Sequence, residues 1–175
     1  MRYRRRVAGY AVFDIDGVLA DVRHRLHHVQ RRPKRWDAFF GMAPQDPVLP
    51  DGLAMVLRTA DEGVPLVYST GRPERCRPDT LEWLDRHRFP TAPLHMRRER
   101  DHRPGRVTKL SVARSLRANG GVEFIVDDDP VVVAALRHDG FEVIHATWMG
   151  SAGSPGNHVD EAQRLLFDLQ EHGDL

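Results

Sequence analysis

The sequence predicts an α/β protein, a Rossmann-like three-layer arrangement with a mostly parallel, doubly wound sheet, and two observations predict it. Short apolar runs alternate along the chain with segments whose apolar residues recur every three or four positions, which is how strands joined by crossover helices read. Three of those runs end in Asp or in Ser-Thr-Gly, and open α/β sheets place their sites at the carboxyl ends of the strands.

The first run, Val7 to Phe13, ends at Asp14 with Gly17 close behind, a buried strand feeding a loop. Val22 to Pro47 breaks the alternation. It is rich in His and Arg, carries Trp36, Phe39 and Phe40, and closes with Pro44, Asp46 and Pro47, so a small helical insertion is expected over the first strand's exit. A helix follows Pro50-Asp51, with Leu53, Val56, Leu57 and Ala60 on one face. Val64 to Tyr68 is the second strand, running into Ser69-Thr70-Gly71, and a helix starts behind Pro78-Asp79. Ala92 to Met96 is a weaker strand signal. Val107, Leu110, Val112, Ala113 and Leu116 then mark a helix ending at Asn119-Gly120. Glu123 to Val126 is a strand closed by Asp127-Asp128-Asp129, and Pro130 opens a helix over Val131 to Leu136. Phe141 to Ile144 is the last strand. Gly150 to Asn157 reads as loop and Val159 to Leu169 as an amphipathic helix.

The chain has 175 residues, enough for one domain with a core of its own. At 41% hydrophobic and 29% charged it is neither disordered nor a membrane protein. Met1 to Arg6 is basic, but only Val7 to Phe13 follows before Asp14. That segment reads as a strand rather than a signal sequence, and a cytoplasmic location is expected. The single cysteine, Cys76, excludes an internal disulfide and a cysteine-rich zinc site. Lys34 and Lys109 are the only lysines among 26 basic residues, which draws attention to Lys109 between Val107 and Leu110.

Asp14-Ile15-Asp16-Gly17 follows the first strand directly. Residues two apart share a face in extended geometry, so both carboxylates could address one point, binding a divalent cation or dividing acid and base roles. Alone, the pair also fits an Asp-rich turn. Three adjacent acids at the end of another strand repel unless a cation or arginine neutralises them, and a helix cap needs only one. Together the two clusters point to a hard-cation site with oxygen ligands, for which Mg²⁺ is the expected ion. Ser69-Thr70-Gly71-Arg72 offers a hydroxyl, backbone amides and a guanidinium, all ligands for phosphate oxygens. Lys109 is expected to face Asp14 and that phosphate.

In this order on alternating strands and helices, Asp14-Ile-Asp-Gly-Val-Leu, Thr70, Lys109 and Asp127-Asp128 resemble the four motifs of the haloacid dehalogenase superfamily, over about residues 8 to 147. Ser69-Thr-Gly-Arg-Pro-Glu, Met96-Arg97, Arg103-Pro104 and Ile125-Val-Asp-Asp-Asp-Pro-Val-Val are similar to the 3′-phosphatase domain of polynucleotide kinase-phosphatases and its stand-alone bacterial relatives. The resemblance implies that Asp14 attacks phosphorus, Asp16 serves as acid and then base, Thr70 and Lys109 bind the phosphoryl group, and Asp14, the Asp16 carbonyl, Asp127 and Asp128 hold Mg²⁺. It also implies that Ser69, Gly71, Arg72, Arg97 and Arg103 contact substrate. Val18 departs from the usual threonine and Asp129 from a frequent arginine. No Gly-rich turn closed by Gly-Lys-Ser/Thr occurs, so no kinase half is present in this sequence.

Arg97, Arg98, Arg100, Arg103 and Arg106 crowd one segment before Lys109, either a solvated loop or a basic rim for the phosphates of a nucleic acid. Arg23, His24, Arg25, His27 and His28 are expected on the surface beside the mouth, and Trp36, Phe39 and Phe40 as the insertion's hydrophobic anchor. The expected activity is Mg²⁺-dependent phosphomonoester hydrolysis, with a phosphorylated DNA or RNA end, preferably a 3′-phosphate, as substrate. A free nucleotide or another small ester is the alternative, with the insertion closing as a lid. A phospho-receiver domain and a non-catalytic end binder are the readings from other classes. Asp16 argues against a receiver because an acid/base serves turnover, and the filled motif positions argue against an inert binder.

Overall fold

The computed structural model describes residues 9–30 and 32–151. Five strands, β1 (Tyr10–Phe13), β2 (Leu66–Pro73), β3 (Leu94–Arg97), β4 (Val122–Asp127) and β5 (Val143–His145), form one sheet in the order β3-β2-β1-β4-β5. Every neighbouring pair is parallel. The helices are α1 (Trp36–Gly41), α2 (Pro50–Asp61), α3 (Arg77–Arg86), α4 (Gly105–Ala118), α5 (Pro130–His138) and the short α6 (Trp148–Ser151). The expected amphipathic helix over Val159 to Leu169 lies outside the described residues. No described helix is long and apolar enough to cross a membrane.

Alternation along the strands builds two cores. Ala11, Phe13, Leu66, Tyr68 and Val126 pack with Val56 of α2 and Trp83 and Leu84 of α3 on one face. Val12, Val67, Ile125 and Val143 pack with Ala113 of α4 and Val132, Val133 and Leu136 of α5 on the other. Central β1 is buried on both faces, as a strand inside a parallel sheet must be. After β3 the chain returns through α4 to β4 on the far side of β1. The order therefore reverses between β1 and β4, where open α/β sheets leave a crevice for ligands.

The segment between β1 and α2 is helical as expected: a 3₁₀ turn over Arg23–His28, α1, and a second 3₁₀ turn over Ala43–Gln45. It has its own small core, in which Phe39 and Phe40 join Val22, Leu26, Val29, Leu49, Cys76 and Met149. β2 starts later and runs further than expected. The strand continues through Ser69-Thr70-Gly71-Arg72 to Pro73, which pairs with Arg97 after a shift of register beyond Ser69.

Candidate active site

The alternation that builds the cores also aims the site. Asp14 follows Val12 by two and Asp127 follows Ile125 by two, so both carboxylates emerge on the α4 side of the sheet. Lys109, in the first turns of α4, meets them there. Its Nζ donates to Asp14 Oδ2 at 2.6 Å and to Asp127 Oδ2 at 2.7 Å, with all three side chains nearly inaccessible. Ser69 shares this face and, with Asp14, Lys109 and Asp127, lines a cavity of about 10 Å³. The isolated lysine does stand opposite Asp14.

The three consecutive acids divide their work. Asp129 caps α5, its Oδ1 accepting from Val131 N at 2.8 Å and Val132 N at 3.3 Å. Asp127 and Asp128 join Asp14 in a group whose ligand oxygens lie within 4.8 Å of one another. Both Asp128 side-chain oxygens are buried without a hydrogen-bond partner, an arrangement that is costly unless something else takes them. A hard divalent cation fits this donor set of three buried carboxylates. Asp128 also explains Gly17. A Cβ there would stand 2.0 Å from Asp128 Oδ2, and φ is +77°, so both space and backbone demand glycine.

Asp16 does not converge on the same point as Asp14. β1 ends at Phe13 and the chain turns at Gly17, so the two-residue alternation does not carry through Asp16. Its carboxylate faces a buried charge cluster instead. Asp16 Oδ1 accepts from Arg25 Nη2 at 2.8 Å, Arg72 Nε at 2.9 Å and Arg72 Nη2 at 2.6 Å. Asp46 completes the cluster, accepting from Arg25 Nε and Nη2, both at 2.7 Å, from Arg72 Nη2 at 2.8 Å and from His24 Nε2 at 2.8 Å. The Asp46 carbonyl is in turn held by the indole N–H of Trp83 at 2.8 Å. Two arginines and two aspartates thus balance in a buried cluster.

One expectation changes here. Arg25 is not on the surface but fully buried, its guanidinium 4.2 Å above the Phe39 ring. Arg72, which the resemblance implies as a substrate contact, has its guanidinium nitrogens on Asp16, Asp46 and Thr80. β2 continues through Arg72 after a shift of register beyond Ser69, and the guanidinium reaches Thr80 of α3 and two buried aspartates that need counter-charges.

The remaining residues sit near the mouth in different states. Thr70 is buried and its Oγ1 accepts from Arg72 N at 3.2 Å, while the space above Gly71 is open. Arg97 is 4% exposed. Its Nη1 donates to the carbonyls of Asp101 and Arg103 at 3.0 and 2.6 Å, and its Nε and Nη2 are buried without a partner. Arg103 is exposed and paired with Asp101 at 2.6 Å, so part of the arginine-rich segment is neutralised by its own acid.

The two motif aspartates are pushed in opposite directions. Burial raises the Asp14 carboxyl to about 7; Lys109 opposes the rise and Asp127 adds to it. Burial works against Asp16 too, but Arg25 and Arg72 prevail and hold it down at about 2. Burial, with Asp14 and Asp127 adding to it, raises Asp128 well above the usual carboxylate range. Lys109 is raised: burial disfavours its charge, and Asp127 and Asp14 outweigh that.

A parallel sheet that delivers an aspartate, a lysine and an acidic pair to one crevice, with a second aspartate two residues after the first, defines a haloacid dehalogenase-type fold and site. Residues 9–147 match the family model of the polynucleotide kinase PNKP phosphatase domain, and the chain belongs to that family. No curated protein matches it in sequence. Among solved structures it is similar to a chain of the Pnkp1/Rnl/Hen1 complex, at 21% identity and a TM-score of 0.66, over 79% of this chain and 45% of that one. A second structure, of the Pnkp1/Rnl/Hen1 RNA repair complex, matches at 20% identity and a TM-score of 0.64, over 83% and 44%. The class C acid phosphatase from Bacillus anthracis matches at 16% identity and a TM-score of 0.57, over 92% and 79%. This chain therefore spans less than half the length of the first two chains it resembles.

Proposed function

We propose that this protein is a Mg²⁺-dependent phosphomonoesterase that works through an aspartyl-phosphate and removes the 3′-phosphate from a nucleic-acid end. The observation that carries the reading is the buried Asp14–Lys109–Asp127 bridge, with the unpartnered Asp128 carboxylate beside it. An Asp14 oxygen attacks phosphorus, and the bond from phosphorus to the ester oxygen breaks. The leaving oxygen takes a proton from Asp16. Water then attacks the phosphorus of the acyl phosphate, giving its proton to Asp16 and releasing inorganic phosphate and the Asp14 carboxylate. Thr70 and Lys109 donate to the phosphoryl oxygens, where charge accumulates in the transition state. Arg25 and Arg72 are positioning residues: they fix Oδ1 of Asp16 and leave Oδ2 to exchange the proton.

Asp14, Asp127 and Asp128 would hold Mg²⁺, which supplies positive charge against the repulsion between a carboxylate nucleophile and a phosphate dianion. The 3′-end substrate rests on membership of the polynucleotide kinase phosphatase family and on the small size of the insertion between β1 and α2 among the described residues. The test is phosphate release with Mg²⁺ from a 3′-phosphorylated oligonucleotide, a mononucleotide and para-nitrophenyl phosphate, with Asp14→Asn as the blank. A tenfold preference for the oligonucleotide, about 1.4 kcal/mol in transition-state binding, is expected. Preference for the small esters would overturn the 3′-end reading, and equal release by Asp14→Asn would overturn the mechanism.

A further inference from the structure

The tip of the insertion presents an aromatic ring between cations. Trp36 opens α1. Its ring is stacked on Phe40 at 5.8 Å and 22° and meets Phe39 edge-on at 5.8 Å. Phe39 and Phe40 are buried, yet Trp36 is only partly so, and with Arg32, Pro33 and Lys34 it walls a cleft of about 460 Å³. All three aromatics serve as the insertion's hydrophobic anchor, as expected, but Trp36 packs only against the edge of that core and keeps part of its surface exposed.

Several surface arginines are paired with acids, Arg103 with Asp101, Arg75 with Glu99, Arg86 with Glu82 and Arg117 with Asp139. Arg32 and Arg35 are exposed, and neither has an acidic partner among the described residues. The Lys34 ammonium stands 5.9 Å from the centre of the Trp36 ring, at the outer limit of a cation–π contact.

The cleft is also tied to the chemistry. Phe39, against which Trp36 packs, carries the Arg25 guanidinium 4.2 Å above its ring, and Arg25 Nη2 reaches Asp16 at 2.8 Å. The insertion that carries the cleft thus also supplies a buried contact to Asp16.

We propose that Arg32, Lys34, Arg35 and Trp36 form a platform for the single strand leading to the phosphorylated end: a base stacks on Trp36 and the basic side chains hold the flanking phosphates. A lone aromatic among cations suits one strand, because every base offers a π-face and every linkage a negative charge. This rests on the nucleic-acid reading above and gives the insertion the role of platform rather than lid.

The test compares wild type, Trp36→Ala, Trp36→Phe and Arg32→Ala/Arg35→Ala on a single-stranded 3′-phosphorylated hexanucleotide and on para-nitrophenyl phosphate. For Trp36→Ala the ratio of hexanucleotide to ester kcat/KM falls about 5- to 100-fold, the effect of losing one base stack, with the loss in KM. Trp36→Phe restores most of it. The double arginine variant lowers the slope of log KM against log salt by about one to two. An unchanged ratio in Trp36→Ala overturns the proposal, as does an equal loss on both substrates, which would mean that Trp36 only supports the insertion. Should wild type itself fail to favour the hexanucleotide, the 3′-end reading falls first. The platform is then judged by anisotropy of a labelled 3′-hydroxyl hexanucleotide on Asp14→Asn. Weakening of that binding by Trp36→Ala sustains it, and identical binding, or equal affinity for a blunt duplex, removes it.

Discussion

Replacing Asp46 by asparagine is the most demanding test of the charge cluster, because the shape is kept and only one negative charge is lost. Asp46 is 2% exposed and bridges Arg25 and Arg72 at 2.7 to 2.8 Å. Burial keeps its carboxyl above the ordinary range even though Arg25 opposes the shift, so the pair itself is a weak source of stability. Removing one member is a different matter. It leaves two fully buried guanidiniums facing Asp16 alone, and breaking a buried pair in this way costs about 3–5 kcal/mol. For a protein of this size each kcal/mol moves Tm by about 2–4 °C, so a fall of roughly 6–20 °C is expected. Scanning calorimetry reads that fall, and turnover at a permissive temperature reads the second effect. With both guanidiniums drawn to Asp16, its proton exchange is impaired, so kcat for para-nitrophenyl phosphate drops more than KM changes. A Tm within 2 °C of wild type together with normal kcat would refute the idea that Asp46 balances the cluster.

Three further outcomes follow from other residues. Between the ordinary carboxylate value of 3.8 and about 7, the folded protein keeps a proton on Asp14 that the unfolded chain has lost. Raising pH through that window therefore destabilises the metal-free protein, and Mg²⁺ should raise Tm more at pH 8 than at pH 5.5; equal shifts at both pH values would count against Asp14 as a ligand. Gly17→Ala places a methyl 2.0 Å from Asp128 Oδ2 on a backbone with φ of +77°. It should cost about 1–3 kcal/mol and weaken Mg²⁺ binding by titration calorimetry, whereas wild-type affinity would show that Asp128 is not a ligand. Asp129→Ala removes the α5 cap and should lower stability by about 1 kcal/mol in a denaturant titration, while Asp129→Asn retains most of it.

Much of the fold was legible because alternation and turn signals are local. The central strand, the acidic end of β4 and the helices opened by Pro50 and Pro130 all lie close to where the sequence puts them. The Asp14–Lys109 pairing was legible for a different reason: one lysine with apolar neighbours, in an arginine-rich chain, had little else to do. The Arg25–Asp46–Arg72 cluster was not. Arg25 and Asp46 lie 21 residues apart with no periodicity between them, and arginine among histidines reads locally as surface. Only the folding of the insertion back over β1 brings them together. Arg72 was not legible from alternation either, because β2 shifts register between Ser69 and Pro73. Alternation likewise misleads at Asp16, because the strand has already ended at Phe13.

The opposite fates of Asp14 and Asp16 bear on how one site could run both steps. Two carboxyls whose surroundings drive them apart, one to about 7 and one to about 2, are the usual mark of divided acid and base roles. Here the assignment looks reversed at first, since the residue proposed as general acid is the one held ionised. The charge of the substrate resolves the reversal. A phosphate dianion beside Asp16 opposes Arg25 and Arg72 and favours the protonated carboxyl while the ester oxygen is leaving. Once the leaving alcohol has taken that proton and departed, the two arginines hold Asp16 as the carboxylate that the attacking water needs. On this argument neutralising either arginine affects hydrolysis of the aspartyl-phosphate more than its formation. Arg25→Met or Arg72→Met should then show a burst of alcohol release followed by slow turnover. A uniform loss of both phases would place the arginines' effect on binding or structure instead.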